Sequence, residues 1–195
     1  MLPAISLKRP HLSLPAAQPR SPEHLRQVVY NGYRRDDGLW DIEAHLRDTK
    51  HVPFEVPGEI SWAPHEPIHD MEIRLTVDQQ LVIREIAVAM NHVPHDDCPQ
   101  TQAPMQKLVG YTLGAGWRRA IDEHLGNVKG CTHLRELLFN MATAAFQTVS
   151  GSFAGDPTKP PPHLGRCLSW GFDTPLVERR FPMFFQWPEK SKQLK

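Results

Sequence analysis

Apolar and polar residues alternate along residues 40–48, a pattern that predicts a β-strand with two unlike faces. The apolar positions are Trp40, Ile42, Ala44 and Leu46. The positions between them are Asp41, Glu43, His45 and Arg47. One face of this strand therefore needs a hydrophobic core. The other face carries ionisable groups and is either an ordinary solvated surface or the lining of a pocket.

Two β-hairpins follow from the same kind of pattern. Residues 28–35 are strand-like, and the Asp-Gly step at Asp37-Gly38 suits a tight turn before the strand of residues 40–48. Residues 71–77 alternate again, residues 78–80 provide a turn, and residues 82–90 form a strand rich in β-branched side chains. The sequence thus predicts four antiparallel strands.

The hydrophobic period changes to that of a helix after residue 98. Residues 102–109 form a short helix candidate, and a second helix around residues 117–125 is ended by Gly126. Thr132 suits the N-cap of a third helix, which Gly151 ends. The apolar stripe of that helix is formed by Leu134, Leu137, Leu138, Met141, Ala145 and Val149. Residues 176–181 look like a last, isolated strand.

Strands followed by helices predict an α+β fold, in which an antiparallel sheet of about four or more strands carries about three helices on one face. Residues 1–27 lack periodicity and are expected to be a flexible tail. Residues 28–155 form the expected α+β domain. Residues 156–195 are rich in proline, and we expect this extension to pack on the domain.

The charge balance, hydropathy and cysteine count of the chain argue against several classes of function. The 195 residues contain 22 basic and 22 acidic side chains, and this balance gives no long-range attraction to nucleic acid or to an anionic membrane. No apolar run reaches the length of a membrane helix or of a signal peptide. Three cysteines, an odd number, fit a reducing compartment. We therefore expect a cytoplasmic protein with no membrane or nucleic-acid partner.

Sequence motifs for common cofactors are missing. The chain has no Gly-rich phosphate loop, no dinucleotide fingerprint, no serine elbow and no His-Glu-x-x-His. We expect no organic cofactor.

The polar face of the first hairpin is the first candidate site. It offers Asp41 and Glu43 as proton-transfer groups, with Tyr33 and Arg35 to hold an anionic or phenolic oxygen. His69, at the start of the third long strand, is a candidate proton partner. The alternative is a salt-bridged sheet surface, and a loop position for His69.

Cysteines and one histidine make a second candidate. Cys98, Cys131, His133 and Cys167 would complete a tetrahedral zinc site, although the chain has no Cys-x-x-Cys pair. Cys131 precedes a helix N-terminus, which favours a reactive thiolate. Ordinary buried cysteines are the third alternative.

An apolar ligand pocket could be lined by tryptophans, with Trp40 as a candidate substrate contact. The set is Trp40, Trp62, Trp117 and Trp170. Packing in the core is the alternative for these side chains.

Three long motifs support a family resemblance. They are RRDDGLWDIEAHLRDTK, PIHDMEIRLTVD and GCTHLRELLFNMATAAFQ, in that order along the chain. Together they resemble a bacterial family known as a domain of unknown function, DUF2889, from about Tyr33 to the proline-rich tail. The resemblance implies small-molecule catabolism, including pathways for aromatic compounds.

The sequence therefore leads to two hypotheses. The first is a lyase-type enzyme that cleaves a bond of a small, partly aromatic substrate by acid–base chemistry. Glu43 or Asp41 would be the base, His69 the proton partner, and Tyr33, Arg35 and Trp40 the substrate contacts. The second is a non-catalytic binding or assembly module with a structural Cys3His zinc site. The polar sheet face also makes a homodimer a candidate assembly.

Overall fold

The structure is a computed structural model that describes residues 14–149 and 157–187. The chain forms two compact units, with the boundary between Thr148 and Val149. The first unit holds the sheets and two helices, and the second holds one short helix. The predicted helix end at Gly151 and the first 13 residues of the predicted tail lie outside the described residues.

Six strands make two antiparallel sheets. They are β1 (His24–Arg34), β2 (Trp40–Lys50), β3 (Phe54–Val56), β4 (Ile60–Trp62), β5 (Pro67–Val77) and β6 (Ile83–His92). The large sheet has the order β1-β2-β5-β6, and β3 pairs with β4. This confirms the two long hairpins and the α+β class, and it makes β2 and β5 the central strands.

The Asp-Gly step forms the predicted turn of the first hairpin. Gly38 has a φ angle of +86°, a conformation that residues with a Cβ rarely adopt. The N–H of Arg35 donates to the carbonyl of Leu39 at 2.9 Å and closes the turn. The register that follows pairs Arg26 with Asp48.

The two faces of the large sheet differ as the alternation predicts. Buried apolar side chains of β2 and β5 form the inner face. They are Trp40, Ile42, Ala44, Leu46, Met71, Ile73, Leu75 and Val77. The opposite face, which we call the open face, carries ionisable side chains such as Glu43, which is 40% exposed, and Arg74, which is 52% exposed.

Two helices complete the core of the first unit. Helix α1 (Trp117–Leu125) buries its apolar side, and the indole N–H of Trp117 donates to the carbonyl of Leu138 at 2.8 Å. Helix α2 (Thr132–Val149) buries the whole predicted stripe. A Cβ on Gly32 would lie 1.9 Å from Oγ1 of Thr148, so β1 and α2 approach closely at this glycine.

Three predicted elements differ from the structure. The predicted short helix of residues 102–109 is instead a 3₁₀ helix over Ala103–Leu108. Strand β1 begins at His24, four positions before the predicted start, since its exposed first residues still pair with β2.

The predicted strand of residues 176–181 is wrong. This segment is helix α3 (Pro175–Arg180), whose N-cap Thr174 accepts a hydrogen bond from the N–H of Val177. A capping threonine followed by proline at the first helical position is a helix-start signal that outweighs a short apolar run.

The second unit has a small core of its own. Leu164, Val177 and Phe184 are buried. Aromatic side chains surround them, namely Trp170, Phe172, Phe181 and Trp187. The prediction that this segment packs on the domain stays a prediction.

Candidate functional site

A buried carboxylate lies on the inner face of the sheet, where the pattern otherwise places apolar residues. Asp48 is at the end of β2 and only 2% exposed. Its Oδ1 accepts from Nε of Arg26 at 2.8 Å, and its Oδ2 accepts from Nη2 of the same guanidinium at 2.8 Å. Nε2 of His24 lies 3.2 Å from Oδ1, and Nδ1 of His69 lies 3.1 Å from Oδ2. One carboxylate therefore orients a guanidinium and two imidazoles.

Sheet register and the start of α2 bring the histidines together. Asp48 and His69 are direct partners across β2 and β5. His133 is the second residue of α2, and its ring centroid lies 4.0 Å from that of His69. We call Asp48, His69 and His133 the inner cluster.

Arg26 ties the inner cluster to α2. Besides its two bonds to Asp48, its Nη1 donates to Oε2 of Glu136 at 2.9 Å. Glu136 lies in the first turns of α2, three residues after His133. Sγ of Cys131 lies 3.8 Å from Nδ1 of His133.

Burial and charge set the protonation of the inner cluster. Burial opposes ionisation of Asp48, but the hydrogen bonds and charge of Arg26 hold the pKa of this carboxyl below its ordinary value. Burial lowers the pKa of His69, and so does the neighbouring His133. Burial and the charge of Arg26 lower the pKa of His133.

The lowered pKa values of Asp48, His69 and His133 determine which groups of the cluster can donate or accept a proton. An ionised carboxylate only accepts hydrogen bonds, so His69 donates from Nδ1 and keeps an unshared pair on Nε2. Neutral imidazoles oriented by a carboxylate can accept a proton or coordinate a metal ion.

A cleft lies between β1, β2 and the first half of α2. Its volume is about 240 Å³, and it is lined by Val28, Tyr30, Leu46, Glu136, Leu137 and Asn140. Burial raises the pKa of Tyr30, although the hydrogen bond with Asn140 acts in the opposite direction. Glu136 lines this cleft and also pairs with Arg26, so Arg26 links the cleft to Asp48, although the lining includes no residue of the inner cluster.

The predicted polar-face residues Tyr33, Arg35, Asp41 and Glu43 lie on the open face, where both carboxylates have partners. Asp41 accepts from the hydroxyl of Thr76 at 2.6 Å and lies 3.5 Å from Nη1 of Arg35. Glu43 lies 3.6 Å from Arg74. Tyr33 is 49% exposed at the same face, opposite Asp41 in the register.

The open face also has a shallow groove of about 200 Å³. Glu43, His45, Glu72 and Arg74 contribute to its lining, with Ala87 and Ala89. His45, Asp70 and Glu72 form a second group of potential metal ligands, in which Nε2 of His45 lies 2.9 Å from Oδ1 of Asp70.

The structure separates two residues that the sequence places in one site. His69 belongs to the inner face, whereas Asp41 and Glu43 belong to the open face, because side chains alternate along each strand. Trp40 is buried in the core and is not on the open face.

Two of the four predicted zinc ligands, Cys131 and His133, lie close together, with Sγ 3.8 Å from Nδ1. His133 also joins Asp48 and His69, and neither group of potential ligands in the described part of the chain contains a cysteine. Cys98 lies in a 3₁₀ turn, and Cys167 is exposed in the second unit.

Sequence reasoning missed His24, Arg26, Asp48 and Glu136. Asp48 had a detectable signal, since it is the one acidic residue at an apolar-face position of the alternating strand. The partnership of Arg26 with Glu136 spans 110 residues of sequence and has no local signal.

The fold and the inner cluster define an α+β protein with a buried carboxylate–histidine group beneath a helix start. Residues 24–147 match the family described as "Protein of unknown function (DUF2889)", and the chain belongs to this family. The match begins earlier than the resemblance noted from the sequence and does not reach Cys167. It includes every residue of the inner cluster.

No curated protein and no solved structure matches the chain. Within residues 14–149 and 157–187, no helix combines the length and the apolar character that crossing a membrane requires.

Proposed function

We propose that the protein is a small-molecule catabolic enzyme that cleaves a bond without oxidation, by proton transfer at the inner cluster. The observation that carries this proposal is the buried Asp48 carboxylate, which accepts hydrogen bonds from His24, Arg26 and His69. Imidazoles oriented by a carboxylate are groups that general acid–base catalysis uses. No organic cofactor takes part in this proposal.

His69 and His24 have separate roles in such a reaction. Nε2 of His69 takes a proton from the substrate carbon, and the electron pair of that C–H bond forms the new double bond. The leaving group departs with its bonding pair and receives a proton from His24, whose side chain is 45% exposed. Asp48 orients both rings.

The cleft beside the cluster supports a small, partly aromatic substrate. Its apolar lining from Val28, Leu46 and Leu137 suits a ring, and Tyr30 offers a hydroxyl to a polar substituent.

The open face is a second candidate location for the same chemistry. Its groove includes Glu43, with Asp41, Arg35 and Tyr33 on the same side of the sheet. In this alternative Glu43 or Asp41 is the base, and Arg35 and Tyr33 hold the substrate. Both carboxylates already have ion-pair or hydrogen-bond partners on an exposed surface, so we place the reaction at the inner cluster first.

Comparison of two conservative variants separates these locations. A panel of small aromatic and phenolic acids is screened for bond cleavage by mass spectrometry, and then His69→Gln and Glu43→Gln are assayed on the best substrate. Reaction at the inner cluster predicts that His69→Gln loses about 10²–10⁴-fold in kcat/KM. Full activity of His69→Gln together with loss in Glu43→Gln would move the reaction to the open face. Exposed His92 provides the matched control, His92→Gln, which should keep its activity.

The non-catalytic module with a Cys3His zinc site remains a rival proposal. The 3.8 Å separation of Cys131 and His133 is the contact that favours it. It predicts zinc bound through thiolates and loss of folding when a chelator is added.

Assembly and location also belong to the proposal. The exposed open face favours a homodimer, which sedimentation velocity at several concentrations would detect as a species of twice the monomer mass. A purely monomeric boundary throughout would contradict it. We propose the cytoplasm as the site of action because three unpaired cysteines suit a reducing compartment.

A further inference from the structure

Three side chains of the inner cluster come from three different elements and point to one place. Asp48 comes from β2, His69 from β5 and His133 from the start of α2. One potential ligand atom of each lies within 4.8 Å of the others. Such convergence of residues that are distant in sequence is produced by the fold and not by a local pattern.

The chemistry of the three groups matches a known type of metal centre. Two imidazoles and one carboxylate are the protein ligands of many catalytic sites for divalent first-row transition ions. Water or substrate takes the remaining coordination positions. Hard ions such as Mg²⁺ and Ca²⁺ prefer oxygen ligands and fit this set poorly.

Charges around the cluster are compatible with a dication. Arg26 keeps Asp48 ionised, and Glu136 compensates the charge of Arg26 through its own ion pair. The guanidinium donates to both carboxylate oxygens, His24 lies 3.2 Å from Oδ1, and Nδ1 of His69 lies 3.1 Å from Oδ2. Carboxylate ligands of metals are commonly hydrogen-bonded in this way by outer partners. An ion between Asp48 and His69 would therefore take the place of the His69 hydrogen bond on Oδ2.

We propose that Asp48, His69 and His133 bind one divalent transition-metal ion of the zinc or iron(II) class, with open positions for water or substrate. This inference goes beyond the proposed function, because proton transfer at the cluster does not require an ion. With the ion bound, His69 is a ligand and not the base, so of the two imidazoles given roles above only His24 stays free to exchange a proton.

Cobalt(II) is a suitable probe because its visible spectrum reports ligand type and geometry, which zinc does not. The 195-residue chain is freed of metal with a chelator and titrated with CoCl₂, and then ZnCl₂ is added. We expect d–d bands that saturate at about one equivalent and disappear when zinc displaces cobalt. A titration without saturable bands overturns the proposal.

Variants identify the ligands. Loss of a residue that only hydrogen-bonds to a metal ligand typically weakens metal affinity by about 10–100-fold. His69→Gln and His133→Gln each remove a ligand itself, so each should weaken cobalt affinity by more than about 10²-fold. His92→Gln is the matched control and should bind normally. His45→Gln tests the group on the open face, and loss of binding in this variant alone would place the ion there and overturn the proposal.

Folding and thiol ligation have separate readouts. Circular dichroism of each variant shows whether it is folded, and Arg26→Lys, which leaves every ligand in place, should weaken affinity about 10-fold through the less ordered Asp48. A strong sulfur-to-cobalt charge-transfer band that Cys131→Ser removes would favour the rival cysteine site over this one. If the protein binds no metal but still cleaves the substrate in a reaction that needs His69, only this inference is refuted and the proposed function stands.

Discussion

At the scale of single residues, Asp48 is the most informative position in the chain. A carboxylate that is 2% exposed is expensive to bury, and it is retained here with a bidentate guanidinium and two imidazoles around it. Groups held in this way are typical of sites that react or bind, although structural ion pairs also occur.

Removal of Asp48 should destabilise the fold. Asp48→Ala leaves Arg26, which is 35% exposed, and the two histidines without their shared acceptor, and we expect a loss of roughly 3 kcal/mol in the free energy of unfolding. Urea denaturation measures this loss, with Asp96→Ala at an exposed position as the control. An unchanged midpoint for Asp48→Ala would show that its contacts contribute nothing to stability.

Asp78 predicts a pH-dependent contribution to stability. Burial opposes its ionisation, but the N–H groups of Val82 and Gln80 and the guanidinium of Arg84 hold the pKa of its carboxyl below the ordinary value. A lowered pKa in the folded state stabilises the protein above the unfolded pKa of about 3.9, and this stabilisation is lost as the pH falls through the folded value.

We therefore expect Asp78→Asn to cost about 1–2 kcal/mol at neutral pH, because the variant loses the charged bonds to Arg84. The difference from the wild type should shrink below about pH 4. Urea midpoints measured across the acid range check this. A difference that stays constant down to low pH would mean that the charge of Asp78 has no part in the effect.

The sequence predicted which face of its strand a residue occupies, but it did not predict contacts between residues of different elements. The alternation assigned Asp41 and Glu43 to a polar face, and the register confirms that face. The same alternation puts His69 in phase with Met71 and Ile73 on the apolar face, a signal that we missed, whereas its partnership with Asp48, 21 residues away across a strand pair, has no local signal.

At the scale of elements, helix α2 supplies the side chains that complete the candidate site on the inner face of the sheet. Its N-terminal turns bring His133 and Glu136 to the inner face, and its C-terminal turns rest on β1 at Gly32. The hydrophobic period predicted this helix well, although Thr132 is its first residue and not its N-cap. The close approach at Gly32 has no signal in an unaligned sequence.

A side chain at Gly32 should push α2 from the sheet. The Cβ of Gly32→Ala would lie 1.9 Å from Oγ1 and 2.5 Å from Cγ2 of Thr148, so we expect a loss of about 1–3 kcal/mol in unfolding free energy. Thr148→Ala should relieve part of this loss, because it removes Oγ1 and Cγ2. The Cβ of residue 148 would still lie 2.7 Å from the new Cβ at residue 32. A double-mutant cycle by denaturation measures the coupling, and strictly additive losses would contradict the contact.

In helix α3, β-strand propensity and a helix-capping signal favour different structures for the same residues. Residues 176–181 contain apolar and β-branched side chains, which favoured a strand, but Thr174 and Pro175 start a helix. The capping hydrogen bond and the preset φ of proline decided the outcome.

At the scale of the whole molecule, each of the two units has its own buried core. In the first unit the large sheet separates the inner cluster from the open face, and both candidate locations for chemistry therefore depend on the same two central strands.

Hydrogen exchange should follow the order of the strands. β2 and β5 have neighbours on both sides in the sheet, whereas β1 is an edge strand with mostly exposed side chains. We expect peptides from β2 and β5 to exchange far more slowly than peptides from β1 when followed by mass spectrometry. Equal protection of β1 would indicate that another chain or segment covers this edge in solution.

The hydrogen bond from His69 to Asp48 underlies the proposed function, and an ion at the proposed metal centre would replace it. Long-range ¹H–¹⁵N NMR of the histidine rings observes it directly in the metal-free protein. We predict that His69 carries its proton on Nδ1 and has an unprotonated Nε2, and that Asp48→Asn changes this signal while leaving His45 unaltered. A His69 ring protonated on Nε2 alone, or one indifferent to Asp48→Asn, would contradict the account.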